Sequence, residues 1–358
     1  MTIRALTVRA VEAPLRRPLR TSAGPIPTAP LVLLDLQTDE GIVGRAYALG
    51  YDALGRRLLH EVLADAATLV PGMPLDPVAV GAALGRRTRL VGTRGLIAMA
   101  LAAVDVALWD ALAQAAGEPL ARYLGGDLVP LRAYNSNGLG LIGTAAAAAE
   151  APELVAEGYR TIKLRLGYPT LEEDVAALRA VRAAVGPDIE LLSDYNQMLT
   201  PQEALRRCSA LDAFGLGWIE EPIAHDDYAA CAQLAQTVAT PIQIGENFLG
   251  PHALQAALAA DASDLVMFDL QRIEGVSGWR AAAALAASAG MPVSSHLLPE
   301  VSAHLLAATP TRDRLEMVDW ANPILAAPLE VRDGTVTPSA EPGTGVRWDE
   351  AAVARYRV

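Results

Sequence analysis

Three carboxylates recur at equal intervals in this chain: Asp194 in SDYNQ, Glu220 in WIEEP and Glu246 in IGEN, each 26 residues from the next. An apolar run of strand character precedes each of them, IELLS, LGWI and PIQIG in turn. That interval is the length of one strand, one helix and their loops. The three acids are therefore expected at the ends of consecutive parallel strands, converging on one point. Oxygen donors with no thiol or imidazole among them suit a hard cation, Mg2+ rather than Zn2+.

Further groups fall at neighbouring strand ends. Lys163 and Arg165 in TIKLRLG are two residues apart and share one face of a strand. With a metal on the acids, both cations are left facing a substrate. Asp269 ends the run VMFD and His296 the run VSSH. Adjacent strand ends lie within hydrogen-bonding reach, so Asp269 can hold the imidazole in one tautomer and raise its basicity, which makes His296 the candidate general base. Glu316 in RLEMVD belongs to the eighth strand, and kept protonated it would stabilise a developing oxyanion. Ser136 closes the run RAYNS and is a candidate substrate contact. Glu221 points to the face opposite Glu220 if the strand persists, and is read as a support for the ligands. His60, His225, His252 and His304 fall on predicted helices or loops and are given no catalytic role.

The elements that must position these groups are legible as a change of pattern near residue 130. From there RAYNS, TIKLRL, IELLSD, LGWIEE, PIQIGE, LVMFDL, PVSSH and LEMVD alternate with Ala-rich helical stretches. Eight strands in this alternation predict an α/β fold, an eight-stranded β/α barrel of the TIM type, with its chemistry at the C-terminal strand ends. Residues 1–125 predict an α+β capping domain. Its strands are IRALTVRAVEAP, LVLLDLQT and GIVGRAYAL, the last two joined by the turn TDEG, and helices follow at about 54–69, 76–89 and 93–116. Between the first two strands, RPLRTSAGPIPTAP predicts a long connection of the kind that serves function. The barrel is expected over 126–325, and the tail, 326–358, with its hairpin-like LEVRDGTVTP, is expected to return to the cap.

Composition narrows the partners. Of 358 residues 52% are hydrophobic and 20% charged, which describes a globular chain with a large core. The net charge of -12 and the lack of a Lys/Arg run argue against nucleic acid or an acidic membrane surface. A small carboxylate remains open as a partner, because it meets the local field of a metal. Cys208 and Cys231 have no metal-ligand spacing and read as buried, reduced thiols. The first residues, MTIRALTVRAVEAPL, alternate as a strand and lack the apolar core of a signal peptide. The apolar stretch GLIAMALAAVDVALWDAL is interrupted by Asp105 and reads as a buried helix. A cytoplasmic location is the expectation.

The order K-x-R, D-Y-N, W-I-E-E-P, G-E-N, F-D and S-S-H-L on successive strands resembles the mandelate racemase subgroup of the enolase superfamily, over nearly the whole chain. The resemblance implies that Asp194, Glu220 and Glu246 bind Mg2+, that a substrate carboxylate meets the metal, and that a base removes the α-proton to give an enediolate. It implies that Lys163 neutralises the carboxylate, Asn196 contacts the site, Asp269 and His296 form the base dyad, and Glu316 donates a hydrogen bond to the carboxylate. Leu19, Ala23 and Ile26 fall where that family places an apolar lid, with Leu49 and Tyr51 extending the wall. A symmetric homo-oligomer, an octamer, is also implied.

Arg165 departs from the pattern, standing where the family has a second lysine as base for the opposite face. Deprotonating lysine at neutral pH costs about 4.6 kcal/mol and arginine at least roughly 7.5 kcal/mol, from their ordinary pKa values. The first expectation is a racemase or epimerase of an apolar or aryl 2-hydroxy acid, with His296 and Arg165 on opposite faces. The alternative is an acid-sugar dehydratase in which His296 works alone and Arg165 is electrostatic. A third, weaker expectation is a binding protein without turnover.

Overall fold

The computed structural model describes residues 1–21 and 24–358. The alternating N-terminal segments form an antiparallel sheet of β1 (Ile3–Thr21), β2 (Gly24–Thr38) and β3 (Val43–Leu49), in that order. Helices α1 (Ala53–Leu69), α2 (Pro77–Thr88) and α3 (Leu96–Ala115) follow. Asp52 caps α1 by accepting from Gly55 N, and Asp76 caps α2, whose first residue is Pro77, a position that needs no N–H. The sheet buries its face against α3. A side chain at Gly44 would stand 2.0 Å from the Ala107 carbonyl oxygen, so this glycine is what lets helix and sheet approach. By length and composition α3 could cross a bilayer, yet it is mostly buried within the protein, through Ala100, Val104, Ala107 and Ala111 among others.

The expected long connection after residue 16 is instead a continuation of the hairpin. Leu19 pairs with Ile26, Arg20 with Pro25 and Thr21 with Gly24. Below this arm, residues 15–18 oppose Pro27 alone, between the pairs Pro14 with Thr28 and Leu19 with Ile26. A bulge of this kind re-aims side chains. Here Arg16 reaches Glu157 (2.7 Å) and Asp319 (3.1 Å), and Arg17 reaches Glu157 (2.8 Å), strapping the hairpin arm to the barrel.

After the short α4 (Leu120–Tyr123), eight parallel strands carry the chain around the barrel: β4 (Leu131–Asn135), β5 (Thr161–Arg165), β6 (Glu190–Asp194), β7 (Ile219–Glu220), β8 (Ile242–Ile244), β9 (Leu265–Asp269), β10 (Val293–His296) and β11 (Arg314–Met317). The helices between them are α5 (Thr144–Ala156), α6 (Leu171–Val185), α7 (Pro201–Leu211), α8 (Tyr228–Thr237), α9 (Pro251–Ala259), α10 (Gly275–Ser288) and α11 (Pro299–Ala307). Sheet pairing runs in chain order from β4 to β10, and β11 pairs back onto β4. At the remaining seam, between β10 and β11, serine side chains supplement the backbone: Glu316 N donates to Ser295 Oγ (2.9 Å) and Arg314 N to Ser294 Oγ (3.4 Å). Tyr134, Leu192, Trp218 and Met267 fill the barrel beneath the mouth, with the rings of Tyr134 and Trp218 edge to face at 5.2 Å.

The tail divides its contacts. Within it β12 (Thr335–Val336) pairs antiparallel with barrel strand β4 after an Asp333–Gly334 turn in the left-handed region. Farther on, Thr344 donates through N and Oγ1 to Asp110 of α3, Trp348 Nε1 donates to Asp35 of β2 (2.9 Å), and α12 (Glu350–Tyr356) packs on β1.

Candidate active site

Strand β5 brings Lys163 and Arg165 to one face, both buried, but their surroundings differ. Lys163 Nζ lies 2.8 Å from Glu220, 3.2 Å from Glu316 and 3.3 Å from Asp194. An ammonium at 1% exposure requires countercharge, and these acids supply it. Burial alone would lower its pKa, but Glu220, Glu316 and Asp194 outweigh that and hold it raised. Arg165 turns away from the acids. Its Nη1 donates to the carbonyls of Ser136 (3.3 Å) and Gly138 (3.2 Å), and its Nη2 to Ser136 Oγ (3.2 Å).

The three equally spaced acids sit at the ends of β6 and β7 and just beyond β8, each oriented by a neighbour. Asp194 accepts from Asn196 N (2.8 Å) and Asn196 Nδ2 (3.0 Å), so Asn196 acts on the acid. Glu220 accepts from Trp218 Nε1 (3.1 Å) and Glu246 from Asn247 Nδ2 (3.4 Å). Among the described residues no three acidic, imidazole or thiol groups are already drawn together as a coordination sphere. Lys163 pairs with two of the acids, and His296 Nε2 lies 3.3 Å from the third, Glu246. The donors still fit a hard divalent cation, being oxygen throughout and in excess of the local positive charge. Burial, opposed by Lys163 and reinforced by Asp194, Glu246 and Glu316, pushes Glu220 up to about 8.

The dyad forms as a register pair of adjacent strands, His296 of β10 opposite Asp269 of β9. His296 Nδ1 and Asp269 Oδ2 are 2.8 Å apart, and Asp269 Oδ1 accepts from the backbone of Gln271 (2.8 Å) and Arg272 (2.9 Å). With Nδ1 committed to Asp269, Nε2 is the working nitrogen. Burial lowers the imidazole's pKa, yet Glu246, Glu316 and Asp269 together push it up to about 10.

Glu316 accepts from Leu297 N (2.6 Å) through its second oxygen. Burial would raise its pKa, but Lys163, His296, Leu297 N–H and Ser136 pull it down to about 2. Ser136 connects this acid to Arg165. Strand β7 ends at Glu220, so alternation does not carry Glu221 to the opposite face; at φ 35° it turns and accepts from Asn247 Nδ2 (2.8 and 3.0 Å). Leu297 (φ 53°) and Leu298 (φ 45°), directly after the base, are also left-handed, a conformation that costs non-glycine residues free energy and collects at functional sites.

Leu19 is buried in the core and Ile26, its cross-strand partner, is half-buried; Ala23 lies outside the described residues. Tyr51 is half-buried beneath Arg272, whose guanidinium lies 5.1 Å from the ring centre. His304 is a buried structural residue, and His225 Nδ1 lies 2.9 Å from Gln197 Oε1. Sequence reading missed Trp218, Asn247, Gln271, Arg272 and the Tyr47–Glu300 hydrogen bond between cap and barrel. Trp218 was findable, since it stands two residues before Glu220 in the run LGWIEE, which reads as a strand. The others act from turns, where no period applies.

A parallel barrel with acids at consecutive strand ends under an α+β cap defines a class of barrel enzymes. Residues 3–125 match the mandelate racemase / muconate lactonizing enzyme N-terminal domain, and residues 146–352 the enolase C-terminal domain-like family. The L-talarate/galactarate dehydratase of Salmonella typhimurium is 32% identical over 330 residues, covering 92% of this chain and 83% of that protein. A solved enolase from alphaproteobacterium bal199 with bound magnesium has a TM-score of 0.97 at 44% identity, covering 100% of this chain and 99% of its own. An enolase from Bradyrhizobium complexed with magnesium and mandelic acid has a TM-score of 0.93 at 41% identity, covering 100% and 98%. This chain belongs to the enolase superfamily, in its mandelate racemase subgroup, and is a Mg2+-dependent isomerase or lyase of that group.

Proposed function

We propose that the enzyme dehydrates a sugar acid through an enediolate, with His296 as its only base. One observation carries this reading: the Arg165 guanidinium donates to two backbone carbonyls and to Ser136 Oγ, so a hydrogen-bond donor stands where the family resemblance places a second base. Asp194, Glu220 and Glu246 would hold Mg2+, which would supply positive charge to the substrate carboxylate, where a second negative charge develops. Lys163 adds a fixed positive charge to the same region.

His296 Nε2 takes the α-proton, and the C–H electron pair moves into the carboxyl group. The enediolate then expels the β-hydroxyl, which leaves as water with the proton returned by His296, and the enol tautomerises to a 2-keto-3-deoxy acid. Asp269 holds Nδ1 throughout and stabilises the imidazolium. The dehydratase relative at 32% identity supports the reading.

Racemisation of an apolar 2-hydroxy acid is the second reading, supported by the Bradyrhizobium relative complexed with mandelic acid and by the buried Leu19 and Leu49. Incubation with Mg2+ in D2O separates the two. Keto-acid formation from aldonates or aldarates, with exchange of one enantiomer of mandelate at most and no inversion, is expected. Labelled inversion of mandelate would instead require a second base and would overturn the one-base reading.

A further inference from the structure

A carboxylate of α5 supports the loop that holds Arg165. Leu139, between β4 and α5, accepts the Arg165 backbone N–H on its carbonyl oxygen (3.0 Å), and its own N–H donates to Glu150 Oε2 (2.6 Å). Gly138 and Leu139 both lie in the left-handed region, at φ 62° and 44°. For Leu139 that conformation costs free energy, which a charged acceptor on its N–H offsets. The fit is close: a side chain at Gly138 would stand 2.7 Å from the Glu150 carboxylate. This turn aims the carbonyls of Ser136 and Gly138 at the Arg165 guanidinium, at 3.3 and 3.2 Å. Glu150 Oε1 in turn lies 3.6 Å from Arg17 Nε of the hairpin arm, which matches its charge.

A competing partner for the guanidinium stands on the next strand. Arg165 of β5 is the register partner of Asp194 of β6, and the two residues are 6% and 1% exposed. Both side chains leave from the strand face that carries Lys163. A buried guanidinium is stabilised most by a carboxylate, and a charge-assisted pair is stronger than hydrogen bonds to neutral carbonyls. Arg165 also has a donor to spare, since its Nε is buried and without a partner among the described residues. We propose that Glu150 is a positioning residue: by fixing the turn at Gly138 and Leu139 it holds Arg165 on the loop and off Asp194, which leaves that acid for Mg2+. This role is the same whether the enediolate loses a hydroxyl or is reprotonated.

The test is a double-mutant cycle on the full-length protein, read as the Mg2+ Kd by titration calorimetry. Glu150→Ala is expected to weaken Mg2+ binding about tenfold, the scale of groups that support a metal's ligands from behind. In an Arg165→Met background the same substitution should change the Kd by less than about twofold, because the group that would turn onto Asp194 is gone. Glu150→Gln keeps an oxygen for Leu139 N and should stay within about twofold of wild type. A tenfold loss that persists with Arg165→Met would mean that Glu150 only holds the fold together. An equal loss in Glu150→Gln would mean that its charge acts at a distance. Either result overturns the role, as does an unchanged Kd in Glu150→Ala. If Glu150→Ala fails to fold, Gly138→Ala, whose added Cβ displaces the carboxylate from the turn, takes its place in the cycle with the same expectation. Failure of the cycle leaves the one-base reading untouched, because no turnover is measured.

Discussion

Asp269 and His296 illustrate how a side chain's role is set by its nearest neighbours. The carboxylate is fixed by two backbone donors before it meets the ring, so it is the imidazole that adapts. Replacement of His296 by Asn is expected to reduce α-proton exchange by roughly a hundredfold or more, the usual contribution of a positioned base, while Mg2+ affinity by calorimetry stays within a few-fold; an exchange rate near wild type would remove His296 from the mechanism. Trp218 acts one step further out. Its indole donates to Glu220 from inside the barrel, and partners of this kind typically contribute about 10- to 100-fold to metal affinity. Trp218→Phe keeps the aromatic packing on Tyr134 and should weaken Mg2+ binding by that factor in a calorimetric titration; unchanged affinity would show that the indole only fills space. The acids and the dyad were legible because strand ends impose a period on their spacing. Gln271 and Asn247 were not, since each lies in a turn whose direction depends on what it packs against.

At the scale of elements, the barrel's construction depends on a seam. Between β10 and β11 a serine hydroxyl accepts the Glu316 N–H, and the same stretch of chain carries the base and an acid of the site. Ser295→Ala leaves that buried N–H unpaired and should cost about 1 to 3 kcal/mol in urea unfolding. Ser294→Ala should cost less, because its contact with Arg314 N is longer, at 3.4 Å. Equal losses would mean that the seam is held by packing alone. All eight barrel strands and the three cap helices were readable from the apolar runs along the chain. The hairpin arm of β1 and β2 was not, for Pro and Gly in RPLRTSAGPIPTAP speak for a loop, while pairing to a partner strand is a long-range term that local composition does not contain.

For the molecule as a whole, one buried histidine joins three regions. His304 of α11 accepts from Ala121 N at the end of the cap (3.1 Å), and its Nε2 lies 3.1 Å from the Thr344 carbonyl oxygen of the tail, with Asp110 behind Thr344. Burial, only partly opposed by the Thr344 carbonyl, lowers its pKa from 6.5 to about 4. A folded pKa below the unfolded one means that the unfolded chain binds the proton more readily, so this contribution is whole above about pH 6.5 and is lost as the pH falls toward 4. His304→Gln keeps an acceptor for Ala121 and a donor for Thr344 without the titration. Between pH 7 and 4.5 the wild type should therefore lose on the order of 2 kcal/mol more stability than the variant in urea unfolding; parallel losses would refute the linkage. The place of His304 at this junction was invisible in the sequence, since Ala121 and Thr344 are distant from it along the chain. The same division runs through the molecule. Periodicity along the chain was enough to establish the barrel, the cap and the alignment of Asp194, Glu220 and Glu246, because strand and helix geometry are local. The partners of Lys163, the hydrogen bond of Glu316 to Leu297 N and the immobilised Arg165 arose only on closure of the barrel, because charge and hydrogen bonding depend on distances that the folded chain alone sets.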